Sequence, residues 1–186
     1  MKTEYKMTIA GCERALPICK ASDELAIGAF VIFGDVELTV AAAGALLKIA
    51  PEYDYLVAPE AKAIPLIHEM ARQSGQNEYF LVRKAPKLYM NGVFETTVQS
   101  ITTKGVQKLY MDGADAKKME GKRILLLDDV ISTGESIAAV EELVKQAGGI
   151  VVGRMAILAE GDAAKRDDII YLEKLPLFDA EGEPLE

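Results

Sequence analysis

Two adjacent carboxylates, Asp128 and Asp129, follow the aliphatic run Ile124–Leu127 and come shortly before the polar turn Ser132–Ser136. Carboxylates accept hydrogen bonds from vicinal hydroxyls and stabilise positive charge that builds on a sugar ring. The hydroxyls of the turn, together with the free N–H groups at the start of a following helix, suit an anion. Gly134 allows the backbone to approach a phosphate closely. The segment therefore predicts a site for a ligand that carries both a diol and a phosphate, such as a sugar phosphate.

A simpler interpretation of this segment stays open at this point. Ser132 or Thr133 would merely cap a helix, as hydroxyl side chains often do, and Asp128 and Asp129 would form a solvated turn. The aliphatic run before the carboxylates favours the ligand site, because it indicates a buried strand whose end holds both carboxylates in place.

The elements that must position these residues alternate along the chain. Ile124–Leu127 is apolar at every position, which predicts a central parallel strand buried on both faces and closed by Asp128 and Asp129. The amphipathic pattern of Glu135–Gln146 predicts the next helix. An α/β fold follows, with helices flanking a parallel sheet and ligands at the carboxyl ends of its strands. Further predicted strands are Ala29–Phe33, Tyr55–Ala58, Tyr79–Val82, Ile150–Leu158 and Ile169–Leu172, and further helices are Thr39–Ala50 and Ile64–Gln73.

Two antiparallel hairpins are predicted outside this alternation. At the N-terminus, apolar Tyr5, Met7 and Ile9 alternate with polar residues, and Gly11 separates them from a second apolar run. Residues 85–115 carry no helical period but contain several turn signals. Thr96–Ile101 and Val106–Met111 are therefore predicted to form the second hairpin.

Composition and charge limit the classes of function. The 186 residues predict one domain that buries roughly 70% of the surface of the unfolded chain. A formal net charge of −8 disfavours nucleic acid as a partner. No apolar run reaches the roughly 20 residues of a membrane span, and the N-terminus has no signal-peptide pattern, so the cytoplasm is the expected location. Cys12, Cys19 and His68, the only residues of their types, cannot form a four-ligand zinc site.

The segment Leu125–Ser136 resembles the phosphoribosyl pyrophosphate (PRPP) signature of the type I phosphoribosyltransferases, and a weaker similarity extends over about residues 28–175. The resemblance implies a Rossmann-like parallel sheet within a single domain, residues 1–186. It also implies a small N-terminal hood at residues 1–27 and a flexible β-hairpin lid at residues 88–112. By the same resemblance, Asp128 and Asp129 hold the ribose 3′- and 2′-hydroxyls. The 5′-phosphate lies against Ser132, Thr133, Gly134, Glu135 and Ser136, and the base lies beside Val130 and Ile131.

Two further segments resemble the pyrophosphate-binding parts of the same family. One is the loop after the strand Tyr55–Ala58, with Glu60, Ala61 and Lys62, in which Lys62 takes the basic role. The other is the basic cluster Arg83, Lys84 and Lys87, which stands out in an acidic chain. In the predicted lid, Lys104 either reaches the pyrophosphate as a catalytic cation or is only a polar turn residue.

The resemblance implies an enzyme that transfers phosphoribose from PRPP to a nitrogenous base, with Mg²⁺ near Asp128 and Asp129 and a homodimeric assembly. The long hairpin and the segment Ala156–Arg166 resemble the adenine enzymes, so a purine such as adenine is the expected acceptor. Three alternatives stay open: an orotate or other-base enzyme, a PRPP-sensing regulator without catalysis, and a protein that only binds a nucleotide.

Overall fold

A computed structural model describes residues 2–99 and 106–185 of the chain. Strands and helices alternate through most of it, as the sequence predicts. In chain order the elements are β1 (Glu4–Ile9), β2 (Cys12–Lys20), β3 (Ala26–Gly28), α1 (Val36–Leu47), β4 (Tyr55–Pro59), α2 (Ile64–Ser74), β5 (Phe80–Val82), β6 (Phe94–Gln99), β7 (Val106–Met111), α3 (Gly113–Met119), β8 (Arg123–Ile131), α4 (Glu135–Gln146), β9 (Ile150–Glu160), β10 (Ile170–Leu175) and β11 (Leu177–Phe178).

A five-stranded sheet in the order β10-β9-β8-β4-β5 forms the centre, and each neighbouring pair is parallel. The strand β8 is buried on both faces, as predicted. Leu125 and Leu127 pack in a core with side chains of α1 and α2. Ile124 and Leu126 pack on the opposite face with side chains of α3 and α4. The predicted α/β fold with helices on both faces of a parallel sheet is therefore confirmed.

A second, antiparallel sheet in the order β1-β2-β3-β11 is built on the predicted N-terminal hairpin. The strands β3 and β11 that complete it were not predicted, since each is only two or three residues long. Arg14 of β2 ties this sheet to α1, because its guanidinium donates to Asp35 at 2.6 and 2.9 Å and to Glu37 at 2.8 Å.

The predicted strand Ala29–Phe33 is wrong, since the strand ends at Gly28 and residues 30–33 are not in a strand; only Ala29 N–H still donates to Pro17 O of β2, at 2.7 Å. Phe30 and Ile32 are buried, whereas Val31 and Phe33 are about half exposed. The apolar pattern of this segment therefore reflects the burial of alternate side chains between the antiparallel sheet and α1. It does not indicate a strand, because strand formation depends on backbone pairing with a neighbouring strand.

Two further boundaries differ from the prediction. The strand β8 continues to Ile131, so Asp128 and Asp129 lie within the strand and do not close it. The helix α3 was missed, because it is seven residues long and begins at Asp112-Gly113, a dipeptide that also signals a turn.

The predicted second hairpin is present as β6 and β7, with Phe94 paired to Met111. It is joined to β5 by a bridge in which Arg83 and Tyr110 exchange backbone hydrogen bonds of 2.8 Å. Lys104 lies outside the described residues. No helix in the described part of the chain has the length and apolar character needed to cross a membrane.

Candidate active site

A cleft of about 540 Å³ opens at the carboxyl ends of the central strands. Parallel strands end on the same edge of a sheet, so residues far apart in sequence meet there. Segments after β3, β4, β5, β8 and β9 all contribute to the wall. The lining residues used below are Phe30, Val31, Glu60, Ala61, Lys62, Lys84, Asp128, Asp129, Val130, Ser132, Ser136, Glu160 and Leu175.

The paired carboxylates lie at the floor of this cleft and are both buried. Asp128 Oδ1 accepts a hydrogen bond of 2.9 Å from the backbone N–H of Asp129. Burial, and next the charge of Asp129, hold the pKa of Asp128 well above its ordinary value, while Lys62 opposes the shift. Among the described residues, Asp129 Oδ2 is buried without a hydrogen-bond partner. A buried acceptor of this kind calls for a ligand donor or a cation.

Lys62 supplies the cation nearest to that acceptor in the described part of the site. Its Nζ lies 3.3 Å from Asp129 Oδ2, while its side chain remains about half exposed. The contact is close enough for an ion pair but does not satisfy the orphaned oxygen as a hydrogen bond, since that oxygen has no aligned donor. Lys62 can therefore contact both the Asp129 carboxylate and a ligand phosphate at the mouth of the cleft.

The start of α4 has the geometry that an anion requires. Its N-cap is Gly134, which has φ +81° and makes no side-chain capping hydrogen bond. The N-cap is therefore neither Ser132 nor Thr133, although Thr133 Oγ1 accepts a hydrogen bond of 3.4 Å from the N–H of Glu135, the first helical residue. A small cavity of about 50 Å³ at this point is lined by Ser132, Thr133, Gly134 and Ser136, while Glu135 is the first, half-buried residue of the helix. Because the N-cap residue has no side chain, the N–H groups of the first turn beyond Glu135 suit a phosphate.

Arg166 lies directly against this loop, which sequence reasoning did not predict. A Cβ atom placed on Gly134 would be 2.2 Å from Arg166 Nη1, so the guanidinium would have to move, and the φ of +81° also favours glycine there. The guanidinium is held by Asp168, to which Nε and Nη2 donate at 2.8 and 2.7 Å. Arg166 is more than thirty positions beyond the loop in sequence, so no local spacing connected the two.

The loop after β4 connects the cleft to the basic segment after β5. The Glu60–Ala61 peptide is cis. Glu60 accepts from the backbone N–H of Lys84 at 2.6 Å, and Arg83 Nε lies 2.9 Å from its other carboxylate oxygen. Arg83 Nε has no aligned hydrogen bond among the described residues, so this contact is an ion pair. Glu60 thus holds the basic segment in place.

The remaining predicted site residues differ in whether they line the cleft. Lys84 lines the cleft, whereas the Arg83 side chain is engaged by Glu60 and Lys87 lies outside the lining, with its backbone N–H on Met90 Sδ. Val130 also lines the cleft, whereas Ile131 is buried in the core beside α4.

Glu160, at the end of β9, is a second cleft residue that sequence reasoning missed. Burial raises the pKa of its carboxyl, and the charge of Lys62 opposes that shift. A signal was available, because Glu160 directly follows the apolar run Met155–Ala159 much as Asp128 and Asp129 follow the run that ends at Leu127.

The described residues fit a Mg²⁺ ion that arrives with a phosphate ligand. They contain no group of three metal-ligating side chains of the His, Cys, Asp or Glu type. Mg²⁺ usually binds through one or two carboxylates, waters and substrate phosphates, which matches the orphaned oxygen of Asp129 in an oxygen-lined cleft.

Known proteins are similar to this chain in sequence and in fold. The chain is 36% identical over 109 residues to adenine phosphoribosyltransferase of Thermotoga petrophila, a match that covers 59% of this chain and 60% of that protein. It is 28% identical over 119 residues to hypoxanthine/guanine phosphoribosyltransferase of Methanococcus voltae, covering 64% and 59%. The chain therefore spans about 60% of the length of these relatives.

Solved structures extend the comparison to the fold. Adenine phosphoribosyltransferase of Thermoanaerobacter pseudethanolicus superposes with a TM-score of 0.65 at 25% identity, covering 77% of this chain and 84% of that one. The Saccharomyces cerevisiae enzyme, complexed with adenine and an imino-altritol bisphosphate, gives a TM-score of 0.62 at 19% identity, covering 92% of both chains. The family model of the phosphoribosyl transferase domain matches residues 37–179, which include the paired carboxylates, the loop at Gly134 and Lys62. The chain that builds this cleft therefore belongs to the phosphoribosyl transferase domain family.

Proposed function

We propose that this protein transfers the phosphoribosyl group of PRPP to a purine base and releases pyrophosphate. The observation that carries the proposal is the contact of 3.3 Å between Lys62 Nζ and the buried, otherwise unpaired Asp129 Oδ2. It supports the proposal, because a cation suited to pyrophosphate lies beside a carboxylate suited to the ribose. The glycine N-cap of α4 adds support, because the strand that carries the carboxylates also leads to Gly134.

Positioning of PRPP is the first task of these residues. The N–H groups and hydroxyls at Ser132–Ser136 bind the 5′-phosphate, while Asp128 and Asp129 accept hydrogen bonds from the ribose hydroxyls. With both ends of the sugar held, C1′ is fixed relative to the base. Pre-organisation of two reactants contributes about 7–11 kcal/mol in favourable cases.

Charge balance is the second task, because the reaction breaks the bond between C1′ and a pyrophosphate oxygen while a base nitrogen bonds to C1′. Negative charge grows on the leaving group, where Lys62 and Lys84 lie in the cleft. Positive charge grows on the ribose ring, next to Asp128 and Asp129. Mg²⁺, when bound, supplies further neutralisation of the pyrophosphate charge.

The named relatives support a purine acceptor, and we favour adenine among the purines. The proteins of about 36% identity are named adenine phosphoribosyltransferases, and those near 28–30% include hypoxanthine/guanine enzymes. The long β6–β7 hairpin and the segment around Glu160 are the features that resembled the adenine enzymes in sequence.

The test is pyrophosphate release from PRPP and Mg²⁺ with adenine, hypoxanthine, guanine or orotate in parallel. We expect turnover with a purine, most rapidly with adenine, and loss of at least about 100-fold in kcat for the double variant Asp128→Asn, Asp129→Asn. PRPP binding without turnover on any base would support a PRPP-sensing regulator instead. Turnover with orotate alone would contradict the purine assignment. Omission of Mg²⁺ and measurement of solution mass test the metal requirement and the predicted homodimer.

A further inference from the structure

Four carboxylates line the cleft, and one of them has no task in the reaction described above. Glu60 holds the basic segment, while Asp128 and Asp129 face the ribose. Glu160 lines the same cleft, but within residues 2–99 and 106–185 its carboxylate makes no hydrogen bond and no ion pair. An acceptor that is partly buried in a ligand cleft and left without a donor points to a donor on the ligand.

The strand order places Glu160 on a definite side of the ribose site. The strand β8, with its two aspartates, lies between β4 and β9 in the sheet. Lys62 follows β4, whereas Glu160 ends β9. The cationic flank of the cleft and the Glu160 flank are therefore on opposite sides of the strand that binds the sugar.

The cleft that Glu160 lines also has apolar side chains, which suit a flat heterocycle. Phe30, Val31, Val130 and Leu175 contribute to the same cleft. Leu175 belongs to β10, the strand paired with β9, and its neighbour across that pair is Glu160. Ligand pockets commonly combine such apolar walls with one or two polar groups that set orientation.

This inference rests on the proposed function and deepens it. A direct displacement at C1′ requires the entering nitrogen to approach from the side opposite the leaving group. Since pyrophosphate leaves on the Lys62 flank, the base enters on the Glu160 flank. We propose that Glu160 accepts a hydrogen bond from an N–H group of the incoming base and makes the site selective for neutral, N–H-bearing bases over bases that carry a carboxylate.

The charge and hydrogen-bonding capacity of a carboxylate determine which bases Glu160 would favour. An ionised carboxylate only accepts hydrogen bonds, so it matches the N–H groups that every free purine carries. A second carboxylate on the base would face Glu160 in a partly desolvated cleft and repel it.

The experiment compares Glu160→Gln with wild type in steady-state assays that vary adenine and PRPP separately. We expect kcat/KM for adenine to fall about 10- to 100-fold, mainly through KM for the base, with KM for PRPP within about twofold. The preference for adenine over orotate should shrink by a similar factor. Asp162→Asn is the matched control, because Asp162 is next but one in sequence, is almost fully exposed and pairs only with Lys165 among the described residues.

Adenine binding, measured by calorimetry with Mg²⁺ and pyrophosphate present, keeps the test independent of turnover. Weaker adenine binding by Glu160→Gln than by Asp162→Asn supports the proposal even if wild type is inactive, which would refute the proposed function alone. Unchanged base affinity in a folded Glu160→Gln variant overturns it. An effect confined to PRPP or to the Mg²⁺ requirement also overturns it, since Glu160 would then act on the other reactant.

Discussion

The helices of this protein begin in two different ways. Which way a helix begins depends on whether it starts beside the cleft. The helices α1 and α3 begin away from it and are closed by aspartates: Asp35 accepts from Leu38 N–H, and Asp112 accepts from Ala114 N–H. The helices α2 and α4 begin beside the cleft, and their N-cap residues, Ala63 and Gly134, make no side-chain capping bond, although Thr133 Oγ1 accepts from Glu135 N–H at 3.4 Å. A helix start that is left open keeps its N–H groups for an anion, at the expense of a stabilising cap.

The helix starts beside the cleft also differ in the charged residues that lie next to them. The first turn of α4 lies beside the strand that bears Asp128 and Asp129, whereas α2 begins directly after Lys62. The open start of α4 therefore lies where the proposed substrate carries its 5′-phosphate. The start of α2 lies beside the proposed pyrophosphate but offers fewer N–H groups, since Ile64 N–H donates to Ala61 O and Pro65 has none. The closed starts at Asp35 and Asp112 have a carboxylate that accepts from their own N–H groups and would repel such a ligand. The first turn of α4 also contains a carboxylate, Glu135, but it is not the N-cap residue.

The largest effect is expected from closing the space at Gly134. Gly134→Ala places a Cβ 2.2 Å from Arg166 Nη1 on a backbone of φ +81°, so the loop or Arg166 must move. We expect kcat/KM for PRPP to fall about 100-fold or more, since displaced donors at a charged group cost about 10²–10³. Gly75→Ala is the control, because Gly75 has φ +76° and an added Cβ there meets nothing within 4 Å. Equal activity of the two variants would contradict the role of the open start.

The next effect is expected at the start of α2, where Lys62 lies between carboxylates and the proposed pyrophosphate. Lys62→Met should lower kcat about 30- to 100-fold, because a charge that stabilises the leaving group is lost. Burial is the main cause of the raised pKa of Asp128 and of Glu160, and Lys62 opposes it in both. Its removal raises both pKa values further, so the loss of activity at low pH should begin at a higher pH.

A pH–rate profile of Lys62→Met against wild type measures that shift. Lys165→Met is the control, since Lys165 is exposed and pairs with Asp162 away from the cleft. A profile that keeps the wild-type pH dependence in Lys62→Met would show that Lys62 does not control these carboxylates.

The open and closed helix starts were only partly predictable from sequence. The position of α4 was predicted correctly, yet Ser132 or Thr133 remained a possible cap until the structure showed Gly134 at the N-cap. The reason is that β8 continues to Ile131, paired with Ala159 of β9, and this partner is distant in sequence. Local patterns fix the apolar run and the helix period, but they do not fix where pairing with a distant strand ends.

The site itself was predictable where its residues are consecutive, and less so where the fold brings them together. The aspartates, the loop at Gly134 and Lys62 were identified and all reach the cleft. Arg166 and Glu160 were not, because their proximity depends on β9 lying beside β8. Glu60 was predicted to bind pyrophosphate, but its contacts with Arg83 and Lys84 became visible only once β4 and β5 were side by side.

A smaller effect, on stability, is expected at the closed start of α1. Asp35→Ala removes the cap on Leu38 N–H and the partner of Arg14, so the free energy of unfolding should fall by about 1–2 kcal/mol, with kcat within twofold of wild type. Arg14 is the main cause that lowers the pKa of Asp35 in the folded protein. The stability that Asp35 contributes is therefore complete above its unfolded pKa of about 4 and is lost as pH falls through the lower folded value.

Urea unfolding of Asp35→Ala and wild type at pH 7 and at pH 2–3 measures this contribution. The two proteins should differ clearly at pH 7 and converge in acid. A difference that stays constant with pH would mean that the packing of residue 35, and not its charge, supports the helix.

The smallest effect is expected at the closed start of α3. Asp112 accepts from Ala114 N–H at 3.2 Å and from Asn91 N–H at 3.3 Å, both on the exposed surface, so Asp112→Ala should cost about 0.5–1 kcal/mol of unfolding free energy. Because α3 packs Ala116 and Met119 into the core beside α4, the helix itself should persist. If KM for PRPP is unchanged and the urea midpoint falls slightly, Asp112 acts as a structural cap, as Asp35 does. A larger effect on PRPP than on stability would show that closed helix starts also serve the cleft and would break the distinction between the two pairs of helices.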